Sequence, residues 1–255
     1  MTKLQEAYIT GVGQSEVGVR LTRSPMGLTK DAIMEALADA GLTLEQIDGV
    51  ATYPGKSHGY LGFSPVGAPE VIEQFGIKAR WHSGGGEVPA QLSAIAAAAD
   101  AVRSGQARHV ICFRTVYEAA AMSRPDEFPP LRRKEVEGFS QWTAPFFAIS
   151  AACWVAQYAT VQMKQYGMTR EQLAQVAINA TRNAMLNPRA RAITKEALTL
   201  DKYMEARMIS SPFCLYDCDR FTDCSTVVIV SAGDALDEVS PNPVRIAASS
   251  GSVER

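Results

Sequence analysis

Short apolar runs of β type alternate with helical segments along the first 115 residues, and this alternation constrains the fold more than any other feature. Ser24 and Pro25 are typical of the N-cap and first turn of a helix, which Gly41 then ends. A second helix, built from small residues, is predicted over 90–103. The strand candidates are residues 8–10, 50–53, 79–83 and 109–114. Strands that alternate with helices predict an α/β fold, a layered α/β/α arrangement with helices on both faces of a sheet.

Two stretches of the chain lack this periodicity. Residues 54–69 are rich in glycine and proline, which predicts a loop. Residues 123–144 contain an Arg-Pro pair, a Pro-Pro pair and a run of four charged side chains. We interpret them as part of a long loop insertion at about 115–150.

The second half of the chain carries fewer elements. Thr169 and Gln172 form a capping box that begins a helix, and the Asn-Pro pair at 187–188 ends it. The apolar residues 227–231 predict the last strand of a first domain, which we place at 1–240. Residues 241–255 then predict the beginning of a second, repeated domain.

The charge balance argues against several classes of partner. Basic and acidic residues number 25 and 27, a formal net charge of −2, which gives no support for nucleic-acid binding or for electrostatic attachment to a membrane. The first six residues lack the apolar core of a signal peptide, and the longest apolar runs are too short to span a bilayer. We therefore expect a cytoplasmic protein.

Five cysteines in 255 residues do not make a disulfide framework. Cys214, Cys218 and Cys224 lie close together, and the spacing of the first two can be interpreted as half of a metal site. All three histidines lie far upstream, so buried reduced thiols are the favoured interpretation and we expect no metal.

Three consecutive glycines, Gly84, Gly85 and Gly86, lie between a strand candidate and the small-residue helix. Glycine lets backbone amides approach a ligand closely, and the dipole of the following helix favours negative charge. Amides placed in this way can stabilise an anionic oxygen, so these glycines are candidate binding residues. A tight strand-to-helix turn without a ligand is the alternative. Residues 81–102 contain no cysteine, and so no thiolate nucleophile.

Several segments of the chain, in this order, match one known family. They are AYITGVG (7–13), SP (24–25), ALADAG (36–41), IDGV (47–50), GMTREQL (167–173), LNP (186–188), RMI (207–209), and DC (217–218) ahead of Asp223 and VVIV (227–230). With these segments the sequence resembles the lipid-transfer-protein (sterol carrier protein x) branch of the thiolase superfamily. Asp219, Arg220, Cys224 and Ser225 depart from that branch, whose corresponding run is DCCPISDGAAAVVL. The resemblance implies a thiolase-like fold of two halves, of which this chain would hold the first and the beginning of the second.

Glycines stand where a thiolase carries its nucleophilic cysteine, as in the aldolases of this branch that remove steroid side chains from a coenzyme A thioester. The resemblance implies retro-aldol cleavage of a β-hydroxyacyl-CoA to a ketone and propionyl-CoA, with no cofactor besides the coenzyme A of the substrate. Two alternatives stay open. One is a true thiolase that uses Cys112 or Cys153, and the other is a non-catalytic subunit that binds lipid or a partner.

Two side chains are candidate catalytic residues. His82 adjoins the glycines, and histidine is a residue that can act as a general acid or base near neutral pH. Neighbouring strand residues face opposite ways, so His82 and Ser83 cannot both point at one pocket. An interface residue is the alternative for His82. Tyr117 follows the fourth strand candidate, at the kind of edge where α/β sheets place ligands. A packed aromatic residue is the alternative there. The main acid–base residues are expected in the second half.

Arg132, Arg133 and Lys134 are candidate contacts for coenzyme A phosphates, since arginine binds phosphate through two parallel hydrogen bonds. A solvated loop balanced by Glu135 and Glu137 is the alternative. The resemblance also implies two partners. One is a second copy, paired through residues 79–83, and the other is a small OB-fold, zinc-ribbon-type protein.

Overall fold

A computed structural model of the chain describes residues 5–56, 62–84, 91–127, 136, 138, 140–190 and 195–250. The strands are β1 (Ala7–Gln14), β2 (Gly49–Thr52), β3 (Trp81–Gly84), β4 (His109–Tyr117), β5 (Met208–Ser210), β6 (Phe213–Cys214), β7 (Asp223–Ala232) and β8 (Val244–Arg245). The helices are α1 (Pro25–Ala40), α2 (Ala68–Phe75), α3 (Gln91–Arg103), α4 (Glu118–Ser123), α5 (Ser140–Thr143), α6 (Ala151–Tyr166), α7 (Arg170–Leu186) and α8 (Leu200–Met204).

The chain forms two compact units. The first comprises Met1–Leu131 and Phe221–Arg255, and the second comprises Arg132–Arg220. The first unit contains a mixed six-stranded sheet in the order β3-β2-β4-β7-β1-β8. Strand β2 pairs parallel with both β3 and β4, while β7 pairs antiparallel with β4 and β1. Strand β3 therefore lies at one edge of the sheet.

Helices cover both faces of this sheet. Ile111 and Phe113 of β4 pack into a core with α1 and α2. Val110 and Cys112, which alternate with them, pack into a separate core with α3. Because successive side chains of a strand point to opposite faces, one apolar strand can serve both cores. The predicted layered α/β fold is confirmed.

The first strand is longer than its sequence predicts. We expected the glycines after residue 10 to end it, which is wrong, since β1 continues to Gln14. A Cβ on Gly11 would lie 2.4 Å from the Ala36 carbonyl oxygen, and one on Gly13 would lie 2.1 Å from that of Ala32. These glycines are needed because α1 packs directly on the strand, a tertiary reason that local propensity does not contain.

Helix α1 has the predicted limits. The Ser24 hydroxyl accepts a hydrogen bond from the Gly27 amide at 3.1 Å, and Gly41 ends the helix in the left-handed region. Helix α7 also begins and ends as predicted, with the Thr169 and Gln172 side chains each bonded to the other's backbone amide.

Both stretches predicted as loop contain helices. Helix α2 begins inside the first of them, where the Glu70 carboxylate accepts a hydrogen bond from the Gly67 amide and pairs with Lys56. Within the predicted 115–150 insertion, β4 runs on to Tyr117, α4 follows it at once, and α5 lies further along. The insertion is therefore partly regular, because buried alanines of α4 pack in the core. The domain boundary at 240 stays a prediction.

The second unit has its own small core of Ala174, Leu198, Tyr203 and Cys214. The Tyr203 hydroxyl donates to the Asp217 carboxylate at 2.8 Å, and the Cys214 amide donates to the same group at 2.7 Å. These bonds join α8 to the segment that follows β6.

Across the described ranges, no single helix is long and apolar enough to cross a membrane. Ser140–Phe146 and Ala151–Tyr166 together reach that length and composition only as a pair bent by 83°.

Candidate functional site

The carboxyl ends of the parallel strands β2, β3 and β4 lie at the same end of the sheet, which is where α/β proteins bind ligands. Gly84, the first of the three candidate glycines, is the last residue of β3 and pairs in register with Thr52, the last residue of β2. Gly85 and Gly86 lie outside the described residues. The predicted glycine run therefore begins at the carboxyl end of β3, as expected, and precedes α3 in the chain.

Gly84 is held by a close backbone contact with Gly55. A Cβ added to Gly55 would lie 2.1 Å from the Gly84 carbonyl oxygen, a distance that real Cβ atoms do not reach. A Cβ added to Gly84 itself would meet only the Gly55 Cα, at 3.9 Å. The first glycine of the run is therefore positioned by the loop that follows β2, and the contact requires glycine at 55 rather than at 84.

Arg114 fixes that loop against the end of β4. Its guanidinium donates to the Tyr53 carbonyl at 2.7 Å and to the Phe63 carbonyl at 2.6 Å, and it lies over the Phe63 ring at 4.3 Å from the centroid. Burial lowers the pKa of Arg114, while Glu118 acts in the opposite direction. An arginine remains charged in proteins, so a partly buried cation lies beside the loop that follows β2.

Arg114 and Gly55 were not among the site residues predicted from the sequence. Arg114 is the one charged residue in the apolar stretch from Val110 to Val116, and a charge inside a buried strand is a signal that could have been used. Gly55 carries no such signal, because it lies in a stretch where glycine is common.

His82 and Ser83 face opposite sides of the sheet, as alternation requires. Ser83 is in register with Ala51, which packs in the α3 core, whereas His82 is in register with Val50, which packs with α1 and α2. His82 is exposed and belongs to the edge strand. An interface residue would also lie on an edge strand, so the catalytic role of His82 stays a prediction.

Tyr117 is buried, with 1% of its surface exposed, and its hydroxyl already has two partners. The hydroxyl donates to the Leu21 carbonyl at 3.1 Å and accepts from the Arg124 guanidinium at 2.6 Å. Its ring packs with Leu28 and Ala120. The structure does not bring Tyr117 and His82 together, and these contacts favour the packed-aromatic alternative, while a role in catalysis stays a prediction.

The two cysteines that could make the chain a thiolase differ in environment. Cys112 is buried, its thiol faces the Ala94 carbonyl at 3.7 Å, and burial raises its pKa. Such a thiol is protonated and unreactive at neutral pH. Cys153 lies near the beginning of α6 in the second unit, where a hydrogen bond with the Ser150 hydroxyl lowers its pKa.

The remaining candidates lie elsewhere. Arg132, Arg133 and Lys134 are outside the described residues, so their predicted contact with coenzyme A phosphates stays a prediction. In the ranges that the structure describes, no group of three or more His, Cys, Asp or Glu is arranged to hold a metal ion.

Similar proteins bear on the chemistry of this site, although no protein-family model matches the sequence. The chain is 30% identical over 251 residues to a steroid side-chain-cleaving aldolase of Thermomonospora curvata, an alignment that covers 96% of this chain and 62% of the relative. It is 26% identical over 249 residues to a 17-hydroxy-3-oxo-4-pregnene-20-carboxyl-CoA lyase of Mycobacterium tuberculosis, with 95% and 62% covered. It is also 26% identical over 249 residues to an acetyl-CoA acetyltransferase of Methanothermobacter thermautotrophicus, with 96% and 62% covered. The chain therefore spans 62% of the length of each of these curated relatives.

Solved structures give the same picture for the fold. An Ltp2-ChsH2(DUF35) aldolase matches with a TM-score of 0.77 and 26% identity, over 95% of this chain and 60% of that one. The human mitochondrial 3-ketoacyl-CoA thiolase matches with a TM-score of 0.64 and 13% identity, over 94% and 69%. The second likeness concerns the fold alone.

Proposed function

We propose that this chain, which has the thiolase-like fold, forms the thioester-binding part of an aldolase that cleaves a β-hydroxyacyl-CoA without an acyl-enzyme. One observation carries the proposal. Residues 81–102 hold glycines and no cysteine, and the nearest strand cysteine, Cys112, is buried with a raised pKa. A site without a thiolate can still stabilise an enolate through backbone amides.

The proposed reaction is a retro-aldol cleavage. A base takes the proton of the β-hydroxyl group, the oxygen forms a carbonyl, and the bond between the α and β carbons breaks. Its electron pair becomes the enolate of the thioester, whose oxygen the amides at Gly84, Gly85 and Gly86 would bind. Protonation of the α carbon then gives the shortened acyl-CoA, and the ketone leaves.

We propose a steroid side-chain thioester as the substrate, with propionyl-CoA and a steroid ketone as products. The names of two relatives, a steroid side-chain-cleaving aldolase and a 17-hydroxy-3-oxo-4-pregnene-20-carboxyl-CoA lyase, support this choice. Coenzyme A enters as part of the substrate, and the reaction neither oxidises nor reduces it, so no separate cofactor is required. Arg132, Arg133 and Lys134 are proposed to bind its phosphates.

The proposed enzyme is an assembly that acts in the cytoplasm. A second copy would pair along residues 79–83. These residues include most of the edge strand β3, which has a neighbouring strand on only one side in the sheet order. A small OB-fold, zinc-ribbon-type protein would be the other partner. The solved aldolase named for both Ltp2 and ChsH2(DUF35) supports a complex of two kinds of chain.

A second candidate is acyl transfer, as in the acetyl-CoA acetyltransferase relative. It would use Cys153, whose lowered pKa favours the thiolate that a thiolase needs. The third candidate, a subunit that binds lipid or a partner without catalysis, predicts no turnover of either kind.

A product assay separates the three candidates. The chain is assayed together with the second thiolase-like half that would supply the acid–base residues, with and without a small partner protein of the proposed type. The substrate is a 17-hydroxysteroid side-chain CoA thioester, given without free coenzyme A. Release of ketone and propionyl-CoA in equal amounts supports the aldolase. Turnover of a 3-ketoacyl-CoA only when free coenzyme A is added supports acyl transfer. No product in either assay supports a binding subunit.

A further inference from the structure

A cavity of about 340 Å³ lies in the first unit. It is bounded by the turn after β1, by α4 and by the residue that begins the second segment of this unit. Its lining residues are Val19, Arg20, Ala119, Met122, Ser123 and Phe221. This volume is near the lower end of the range of about 300–1,000 Å³ that small-molecule sites occupy.

The lining combines apolar surface with a single cation. Val19, Met122 and Phe221 are each slightly more than half exposed, so their apolar surface is not used in packing the described chain. Arg20 is exposed and forms no ion pair with any described residue. The neighbouring Arg23, by contrast, is paired with Asp31. One unpaired cation beside apolar side chains complements a ligand with one negative charge and an apolar body.

Hydrogen bonds fix both ends of the turn that carries Arg20. Gly18 exchanges two backbone hydrogen bonds with Asp223, at 3.1 and 2.9 Å. The buried Asp223 carboxylate accepts from the Leu21 amide at 2.9 Å and from the Ala120 amide at 3.0 Å. The Leu21 carbonyl accepts from the Tyr117 hydroxyl and from the Arg124 guanidinium. Both ends of the turn are therefore anchored.

Arg20 itself has a φ of 61°, in the left-handed region that side-chain-bearing residues rarely adopt. Such a conformation has a cost in free energy and is kept where the surroundings impose it, often at ligand sites. The anchors hold this conformation, and Arg20 is one of the residues that line the cavity. The other charged groups nearby are already used, since Arg124 pairs with Glu127 and the Asp223 carboxylate bonds two amides.

From the cavity, the unpaired cation and the anchored turn, we infer that this is a binding site for a small monocarboxylate with a short apolar chain, Arg20 contacting the carboxylate and Met122 and Phe221 the chain. A monoanion fits better than a phosphate dianion because, among the described residues, Arg20 is the one cation in the lining. The inference does not depend on the proposed aldolase function.

The test uses hexanoate as the probe and the methyl group of Met122 as the reporter. Protein labelled with ¹³C-methyl methionine is titrated in parallel with hexanoate, hexanol and hexylammonium, and the Met122 signal is assigned with Met122→Leu. The exposed Met34 of α1, which does not line the cavity, reports non-specific effects. Hexanoate is expected to shift the Met122 signal saturably, hexanol to bind more weakly and hexylammonium to bind weakest.

Substitutions at Arg20 isolate the charge. Arg20→Asn removes the charge but tolerates a positive φ, and Arg20→Lys keeps the charge. An exposed ion pair is worth about 0.2–1 kcal/mol, so Arg20→Asn should weaken hexanoate binding by up to about fivefold and leave hexanol binding unchanged. Arg20→Lys should restore most of the affinity, and the matched control Arg23→Asn should bind as the unaltered chain does.

Two results would overturn the inference. One is a Met122 signal that hexanoate does not move. The other is equal binding of hexanoate and hexanol in the unaltered protein, which would make the cavity an apolar patch without an anion site. This second comparison needs no variant, so it holds even where a substitution disturbs the turn.

Discussion

Gly55 lies so close to Gly84 that a side chain on Gly55 would overlap the Gly84 carbonyl oxygen, at 2.1 Å. The loop that contains Gly55 is in turn bonded to Arg114 through the Tyr53 carbonyl. Three elements that are far apart in the sequence thus fix the position of Gly84, the first of the three glycines. If that turn binds an enolate, its geometry depends on Gly55 and Arg114 as well as on its own glycines.

Replacement of Gly55 by alanine should therefore lower turnover and stability together. The overlap is with backbone, which cannot rotate away, and overpacking of this kind typically costs about 1–3 kcal/mol. Gly84→Ala is the matched control for stability, because its Cβ would meet no described atom closer than 3.9 Å. Chemical denaturation compares the two variants, and an activity assay compares Gly55→Ala with the unaltered protein. If Gly55→Ala is as stable as Gly84→Ala and as active as the unaltered protein, the close contact does not position Gly84.

Alkylation should distinguish the cysteines. Cys153 has a lowered pKa and should react with iodoacetamide well before Cys112, whose pKa is raised by burial. Peptide mass mapping after timed exposure gives the order of reaction. The proposed mechanism predicts that turnover survives modification of Cys153 and survives Cys153→Ala. Activity that is lost in step with Cys153 modification, and protected by substrate, would favour the acyl-transfer alternative.

Stability should rise with pH because of the buried His109. Its Nδ1 lies 2.8 Å from the Ser231 hydroxyl and its Nε2 lies 3.3 Å from the Glu238 carboxylate. Burial lowers the pKa of His109 despite Glu238, so the folded chain binds its proton less readily than the unfolded chain, whose value is near 6.5. The associated stability is present above pH 6.5 and is lost as the pH falls toward the folded value.

Urea denaturation between pH 5 and pH 8 measures this dependence. The contribution of one proton is at most about 1.4 kcal/mol per pH unit. His109→Gln should flatten the slope, whatever its effect on absolute stability, and the exposed His82→Gln should leave the slope unchanged. The pKa of Glu238 is lowered, chiefly by Arg108, so this carboxylate adds to the pH dependence of stability only at pH values below this range. An unchanged slope in His109→Gln would show that another group titrates.

The edge strand β3 should mediate association of two copies. An isologous contact brings the same strand of both copies together, so an Asp at position 82 places two added negative charges within one short contact. His82→Asp should weaken the dimer, as measured by sedimentation velocity across a range of concentrations. Lys78→Gln, which also lowers the formal charge by one unit and lies on an exposed residue just before the strand, serves as the control. Dimers of equal strength in both variants would place the interface elsewhere.

The sequence predicts elements well where the signal is local. Ser24, Pro25 and Gly41 mark the ends of α1, and Thr169 with Gln172 marks the beginning of α7, because caps satisfy backbone groups within a few residues. It fails where packing decides. β1 continues through two glycines because α1 packs against them, and α2 forms in a glycine- and proline-rich stretch because Val71 is buried.

The features of the candidate site also differ in whether the sequence could predict them. Gly84 could be predicted from the resemblance and lies at the expected edge. The contacts that position it could not, since Arg114 and Tyr53 are 61 positions apart and nothing in the sequence pairs them. The hydroxyl of Tyr117 is another example, because its partners, Leu21 and Arg124, come from other elements of the fold.

The most direct test of the proposed mechanism is the intact mass of the protein, quenched in acid while a 17-hydroxysteroid CoA thioester is being turned over. An aldolase that holds its enolate with backbone amides forms no covalent bond to the substrate. We predict the unmodified protein mass throughout, while steroid ketone and propionyl-CoA accumulate in equal amounts. A mass increase equal to an acyl group, located on Cys153 or another cysteine by peptide mapping, would contradict the account.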